Sequence, residues 1–255
     1  MKIFVCLKQV PDTETKIKLA GDQIDLSGVK WVMNPYDEYA VEEALKIREK
    51  TPGATVQVIT LGPKSRAAEV LRTGLAMGAD EGILIDAPNP TEPLVTASAL
   101  AQVIAQEGGA QLILTGRLAI DDNAASVGPM LAEKLKIPHV SVVARLSVEA
   151  EQLVAEREIE GGAKEIVQLR LPALVSANKG LNMPRYASLP GIMKAKKKVL
   201  KEIALDSLTG LPSSRTQIIK MELPPEKPAV QMLTGDAQNQ AQMLTKLLRD
   251  EAKVL

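Results

Sequence analysis

Through its first 145 residues the chain repeats one pattern, a continuous apolar run followed by an amphipathic helix. The apolar runs are Ile3–Leu7, Thr55–Leu61, Glu81–Ile85, Leu112–Thr115 and His139–Ala144, and the helical patterns between them are Tyr36–Lys50, Ser65–Met77, Pro93–Glu107 and Ala124–Leu135. In the first helix Val41, Ala44, Leu45 and Arg48 fall on one stripe, while Glu42, Lys46 and Glu49 face away. Strands that are apolar on both sides need cover on both faces, and strands separated by helices run parallel. The expected fold is therefore α/β, a doubly wound parallel sheet of Rossmann-like type. Its ligands belong at the carboxyl ends of the strands.

The pattern changes after residue 145. Glu149–Glu158 and Lys164–Leu171 alternate polar and apolar residues around Glu160-Gly161-Gly162-Ala163, which predicts an added antiparallel hairpin with a glycine-dependent turn. Leu171–Ala177 supplies another buried strand. From about residue 199 the chain turns Pro-rich and polar, as in Leu223-Pro224-Pro225-Glu226-Lys227-Pro228. It closes on a helical pattern from Ala237 to Lys253, with Met243, Leu244, Leu247 and Leu248 on one stripe. The expected division is a domain of residues 1–198 and a C-terminal arm of residues 199–255 that packs on a partner subunit, since the arm has too little core of its own.

Composition excludes several classes of function. The 31 basic and 31 acidic residues cancel, so no global charge draws the chain to nucleic acid or to an anionic membrane. Aromatic residues make up 2%, too few for base-stacking platforms. A single cysteine, Cys6, forbids an internal disulfide and fits a reducing compartment. No apolar run reaches membrane-spanning length, so direct membrane insertion is not expected. An apolar strand starts immediately after Met1, leaving no room for a signal peptide, and the expected location is the cytoplasm.

Three segments are candidates for a site. Gly116-Arg117-Leu118-Ala119-Ile120-Asp121-Asp122-Asn123-Ala124-Ala125-Ser126-Val127-Gly128-Pro129 follows one strand and enters a helix. A glycine followed by small and hydroxyl residues at a helix entry gathers backbone N–H groups around a phosphate. A plain βα turn capped by Asp is the other reading, and Asp121 and Asp122 are odd neighbours for an anion. The GxGxxG fingerprint of the common nicotinamide dinucleotide fold is absent. Met33-Asn34-Pro35-Tyr36-Asp37-Glu38 starts a helix with Asn34 as N-cap and Pro35 at the first helical position. Tyr36 is a scarce aromatic ring at that helix mouth, and Thr60-Leu61-Gly62-Pro63 forms a second edge of the same crevice.

The third segment is Leu181–Lys198, LNMPRYASLPGIMKAKKK. Pro184, Pro190 and Gly191 exclude a regular helix in this reading, placing Leu189, Ile192 and Met193 on irregular backbone ahead of Lys194, Lys196, Lys197 and Lys198. Apolar residues on a loop framed by charge form a binding surface; an ordinary core-bound loop with a solvated lysine run is the alternative.

These segments resemble, in order and spacing, the electron transfer flavoprotein β-subunit family. The likeness also covers Lys8-Gln9-Val10-Pro11-Asp12, Leu75-Ala76-Met77-Gly78-Ala79-Asp80 and Arg157-Glu158-Ile159-Glu160-Gly161-Gly162, and so nearly the whole chain. The resemblance implies an electron carrier rather than an enzyme, an obligate heterodimer with an α-subunit that holds the redox-active FAD. It implies transient docking of donor dehydrogenases and of a quinone oxidoreductase. It implies AMP bound at Cys6, Asn34, Pro35, Tyr36, Asp37, Leu61, Gly116, Arg117, Leu118, Ala119, Ile120, Asp121, Asp122, Asn123, Ala124, Ala125, Ser126 and Val127. Partner recognition falls on Arg185, Tyr186, Leu189, Pro190, Ile192, Met193 and Lys194. Many AMP-binding members carry a third Asp, a Gln and a Thr where this chain has Asn123, Ser126 and Val127. Val127-Gly128-Pro129 resembles the flavin-bifurcating members, in which a second FAD takes the place of AMP, whereas Asp122 and Leu189–Lys194 resemble the ordinary type.

Other residues carry less. His139 is the one histidine, so neither a metal site nor a Ser-His-Asp triad is supported. Cys6 reads as a small core residue. A free-standing adenine-nucleotide-binding regulator is the rival from another class, and the Leu189 segment and C-terminal arm argue against it.

Overall fold

The computed structural model describes residues 1–87, 91–149, 151–227 and 229–255. Ala150 of the predicted hairpin strand and Pro228 of the Pro-rich stretch lie outside the described residues. In chain order the strands are β1 (Lys2–Leu7), β2 (Gln9–Pro11), β3 (Leu19–Ala20), β4 (Gln23–Ile24), β5 (Trp31–Met33), β6 (Thr55–Gly62), β7 (Glu81–Asp86), β8 (Leu112–Gly116), β9 (His139–Val148), β10 (Gln152–Glu158), β11 (Lys164–Arg170), β12 (Ala173–Ala177) and β13 (Lys201–Ala204). The helices are α1 (Pro35–Lys50), α2 (Lys64–Met77), α3 (Pro93–Gln106), α4 (Val127–Leu135), α5 (Leu189–Lys197) and α6 (Ala237–Asp250).

Nine strands form one sheet in the order β11-β10-β9-β12-β8-β1-β6-β7-β13. From β9 to β13 every neighbouring pair is parallel, and β10 and β11 add an antiparallel hairpin at one edge. The period-two alternation of β1 splits the core between the two faces. Ile3, Val5 and Leu7 pack with α1 and α2, whereas Phe4 and Cys6 pack with α3 and α4. The chain steps outward from β1 through β6 to β7, then crosses back to β8 on the far side of β1. That reversal makes the carboxyl ends of β1 and β8 a topological switch point.

The chain divides into two compact units. The first comprises residues 1–17 and 26–219, and the second residues 18–25 and 220–255. The first unit contains the nine-stranded sheet, including Lys201–Ala204 at its edge, and the small β2–β5 pair. Within the second unit β3 pairs with β4, Met221 donates its N–H to the Asp22 carbonyl at 3.2 Å, and Asp236 caps α6 by accepting from the Asn239 N–H at 2.8 Å. Among the described residues no helix is long and apolar enough to cross a membrane.

Three local expectations are corrected. The fourth helix starts at Val127, not Ala124, because Asn123 and Ala125 take left-handed backbone angles (φ 52° and 50°) that no α-helix accommodates. Leu189–Lys197 is a helix rather than irregular backbone. Pro190 sits in its first turn, where a missing N–H costs nothing, and Ser188 caps it by accepting from the Gly191 N–H at 3.1 Å. Glu42 does not face away; it is buried, with Arg185 donating to its Oε2 from Nε at 2.7 Å and to its Oε1 from Nη2 at 3.0 Å. The fork geometry and a further bond to Glu49 hold the Arg185 guanidinium charged, well above its ordinary pKa.

Candidate functional site

The switch point is assembled around two buried side chains at the mouth of α1. Asn34 occupies the N-cap position, yet its side chain caps nothing. Instead Nδ2 donates to the Leu118 carbonyl at 2.8 Å and to Asp37 Oδ1 at 2.9 Å, while Oδ1 accepts from the Ile120 N–H at 3.3 Å. The cap assigned from sequence is thus a bridge to the loop after β8. Asp37 completes the tie: Oδ2 accepts from the Lys8 N–H at 2.7 Å, just beyond β1, and Oδ1 accepts from the Gly116 N–H at 3.1 Å. Burial pushes the Asp37 carboxyl up to about 7, against the downward pull of these donors and of the Lys8 charge. Gly116 is required by contact, because a Cβ there would lie 2.3 Å from Asp37 Oδ1 and 2.8 Å from Tyr36 Cβ. Cys6, one turn of the pleat back on β1, has its thiol raised to about 12 by burial and by the nearby Asp37, which keeps it a neutral core group.

The loop from Arg117 to Ser126 is shaped by charge. Lys8 Nζ donates to Asp121 Oδ1 at 2.8 Å and to Asp122 Oδ2 at 3.0 Å. Burial works against the Lys8 charge, but the two carboxylates outweigh it and raise its pKa. Asp122 also accepts from the Ala124 N–H at 3.0 Å; these bonds together overcome the effect of burial and hold its carboxyl below the usual range. One ammonium offsets one of the two carboxylate charges, so Lys8 weakens the repulsion these residues would exert on an anion without removing it. Arg117 stands 5.2 Å from the Tyr36 ring centroid and donates to Asn178 Oδ1 at 3.4 Å. The left-handed angle at Ala125 costs about 1–2 kcal/mol, whereas Asn123 adopts its own more readily. Backbone strain of this kind collects at ligand clamps.

Beyond the strained loop, α4 begins with no side-chain cap and no acidic residue in its first turn. Its leading N–H groups have no partner within the helix and carry the positive end of its dipole. Two hydroxyls, Thr115 Oγ1 and Ser126 Oγ, are buried here without a hydrogen-bond partner. Gly128 in the first turn keeps the approach open, its added Cβ falling 3.2 Å from Thr115 Oγ1. A buried hydroxyl with no partner is costly, and two of them beside a bare helix start fit an oxygen-rich anion.

The sequence-assigned residues Asn34–Asp37 and Gly116–Val127 are thus brought together by direct bonds. Leu61 stands half-buried near the carboxyl end of β6, the strand beside β1. Sequence reasoning missed Lys8, Thr115 and the pair Arg66–Trp31, in which the guanidinium carbon lies 3.7 Å from the indole centroid. Lys8 and Thr115 each adjoin or end a strand at the switch point, a signal that could have found them. Trp31 and Arg66 lie 35 positions apart with no shared motif. Among the described residues no group of three or more His, Cys, Asp or Glu could hold a metal ion.

The segment assigned to partner recognition from sequence has equally definite geometry. Tyr186 is 98% exposed and Leu189 73%, and Ile192 and Met193 are exposed beside them on α5. Arg185 beside them is 35% exposed in its side chain and bonded to Glu42 and Glu49. Asn182 donates to the Tyr39 carbonyl at 3.0 Å and to Glu43 Oε2 at 2.9 Å, fixing the approach to the helix.

Residues 23–208 match the model of the electron transfer flavoprotein domain. The chain is 42% identical to the electron transfer flavoprotein subunit beta of Bacillus subtilis, with all of both chains covered. The chain belongs to the electron transfer flavoprotein β-subunit family. Similarity to the human subunit is 40% identity over 90% of this chain and 91% of that one. The mitochondrial β-subunit of Oryza sativa subsp. japonica is 36% identical over the whole of both chains. The flavoprotein β-subunits so named span bacteria, plants and animals, and the match to them is not confined to the crevice.

Proposed function

We propose that this chain is the β-subunit of a heterodimeric electron transfer flavoprotein, a carrier rather than a substrate-transforming enzyme. In this reading it pairs with an α-subunit in the cytoplasm and passes electrons from dehydrogenases, acyl-CoA dehydrogenases among them, to a membrane quinone oxidoreductase. The FAD held mainly by the α-subunit supplies the redox chemistry when bound. Leu189, with Tyr186, Ile192 and Met193, receives the partner protein, and the exposed lysines of α5 steer acidic partners toward it. The single observation that carries the reading is full-length similarity to subunits of that name, with 42% identity to the Bacillus subtilis protein.

AMP is the ligand proposed for the switch-point crevice. The bare start of α4, Thr115 Oγ1 and Ser126 Oγ receive its phosphate, and Gly128 permits the approach. Asn34 and Asp37 hold the loop at its working distance from β1, while Lys8 offsets one of the two charges of Asp121 and Asp122. A second FAD in place of AMP is the other reading, favoured by Val127-Gly128-Pro129 at the helix entry.

The test is the nucleotide released by heat from the heterodimer purified with its co-expressed partner. About one AMP beside one FAD is expected. Two FAD without AMP would replace the first reading by the second, and a chain that purifies alone with bound nucleotide would favour the free-standing regulator.

A further inference from the structure

The apolar tip of α5 rests on a mount built from two cationic side chains exchanged between helices. Gly191 sets the distance, because a Cβ on it would lie 2.4 Å from the Ala76 carbonyl oxygen in the last turns of α2. Only glycine allows that backbone approach. Ala195, one turn on, is buried in the same contact. Arg72 of α2 then donates from Nη1 to the Ala195 carbonyl at 2.5 Å and to the Lys198 carbonyl at 3.2 Å, supplying partners at the carboxyl end of α5. In return Lys198 donates from Nζ to the Ala79 and Asp80 carbonyls, each at 2.7 Å, where the chain leaves α2. Arg72 thus bonds the carboxyl end of α5, and Lys198, the residue after α5, bonds the segment that follows α2, so the two elements are tied in both directions.

The lysine run is therefore two kinds of residue. Lys194, Lys196 and Lys197 are exposed, and among the described residues none of them forms an ion pair. Lys198 is half-buried with its ammonium turned inward. We infer that Arg72 and Lys198 are positioning residues for partner docking: they hold α5 pre-formed, so that Leu189, Ile192 and Met193 meet a partner without being ordered first. The inference rests on the docking role proposed above for that surface. Its physical content is that a binding-competent state already populated raises apparent affinity by the whole of that population.

The experiment uses the flavin-loaded heterodimer as electron acceptor of a dehydrogenase, at about 20 mM and about 200 mM salt. Lys198→Gln and Arg72→Gln should each raise KM about five- to tenfold at both salt levels with kcat unchanged. Amide exchange should quicken in residues 189–197 alone, with flavin content intact. Lys197→Gln should raise KM less, and only at low salt, as a steering charge does. If Lys198→Gln and Arg72→Gln leave KM unaltered, or if the Lys198→Gln effect vanishes at high salt as that of Lys197→Gln does, the mount plays no part in docking. Leu189→Ala in the same series separates the two ideas. A normal KM for Leu189→Ala overturns the docking surface itself, whereas a raised KM there beside normal values for the other two overturns only the mount.

Discussion

The two compact units of this chain are built on opposite principles. Every buried side chain among the described residues lies in the first unit, from Ile3 to Leu208. The second unit buries none, and its helix α6 leaves Met243 and Leu244 exposed and Leu247 and Leu248 half-exposed on one stripe. A helix of 14 residues draws little stability from its own hydrogen bonds and most from whatever covers its apolar face. The first unit accounts for its own folding. The second has the sequence of a structural element but not the burial of one.

That contrast can be broken directly. Phe4 is fully buried between β1 and the α3–α4 layer, so Phe4→Ala should cost about 3–5 kcal/mol in urea unfolding of the chain. A cost below about 1 kcal/mol would show that the first unit is not the seat of stability. Deleting residues 237–255 should leave that unfolding midpoint in place while weakening association with the α-subunit. Two leucine-sized anchors at about 1.5–3 kcal/mol each predict a loss of at least about a hundredfold, read from the dissociation constant of the co-expressed pair. Undiminished assembly would mean that the stripe has no partner there.

A smaller effect is a pH slope that belongs to the first unit alone. The folded-state pKa of Asp37 is raised from 3.8 to about 7, so the folded chain binds the proton more tightly than the unfolded one. The contribution is complete below about pH 4 and is lost as pH rises through about 7, with a slope of at most about 1.4 kcal/mol per pH unit. Asp37→Asn should flatten the dependence of the melting temperature over that range, and deletion of 237–255 should leave it untouched. A carboxyl resonance of Asp37 titrating near 4 would remove the slope and its cause.

The parallel sheet was legible because its signal is local. Each of Ile3–Leu7, Thr55–Leu61 and Leu112–Thr115 declares itself as a run that needs cover on both faces. The site was legible as a set of segments, since chain order places them all at strand ends, but the bonds that join them were not. Asn34 reads as a cap because Asn-Pro starts helices, whereas its amide bridges to Leu118, 84 positions away. Glu42 reads as solvent-facing because its partner Arg185 is 143 positions distant. Pro190 and Gly191 read as helix breakers because propensity is blind to position; one begins the helix and the other lets it lie on Ala76. β13, four residues long, had too short a pattern to register at all.

The hairpin β10–β11 leaves β11 as an outer edge of a nine-stranded sheet, with a row of backbone groups open to pairing. Ile166 is exposed on it, which in an uncharged strand would invite another copy to stack alongside. The charged cross-strand pairs oppose this. Arg157 pairs with Glu165 at 2.5 Å and Lys164 with Glu156 at 2.6 Å, and a strand arriving at that edge would have to strip water from both signs of charge at once. The opposite edge is guarded by brevity, since β13 offers four residues with Lys201 and Glu202 among them. The same charges act as gatekeepers against aggregation while the sheet is still forming.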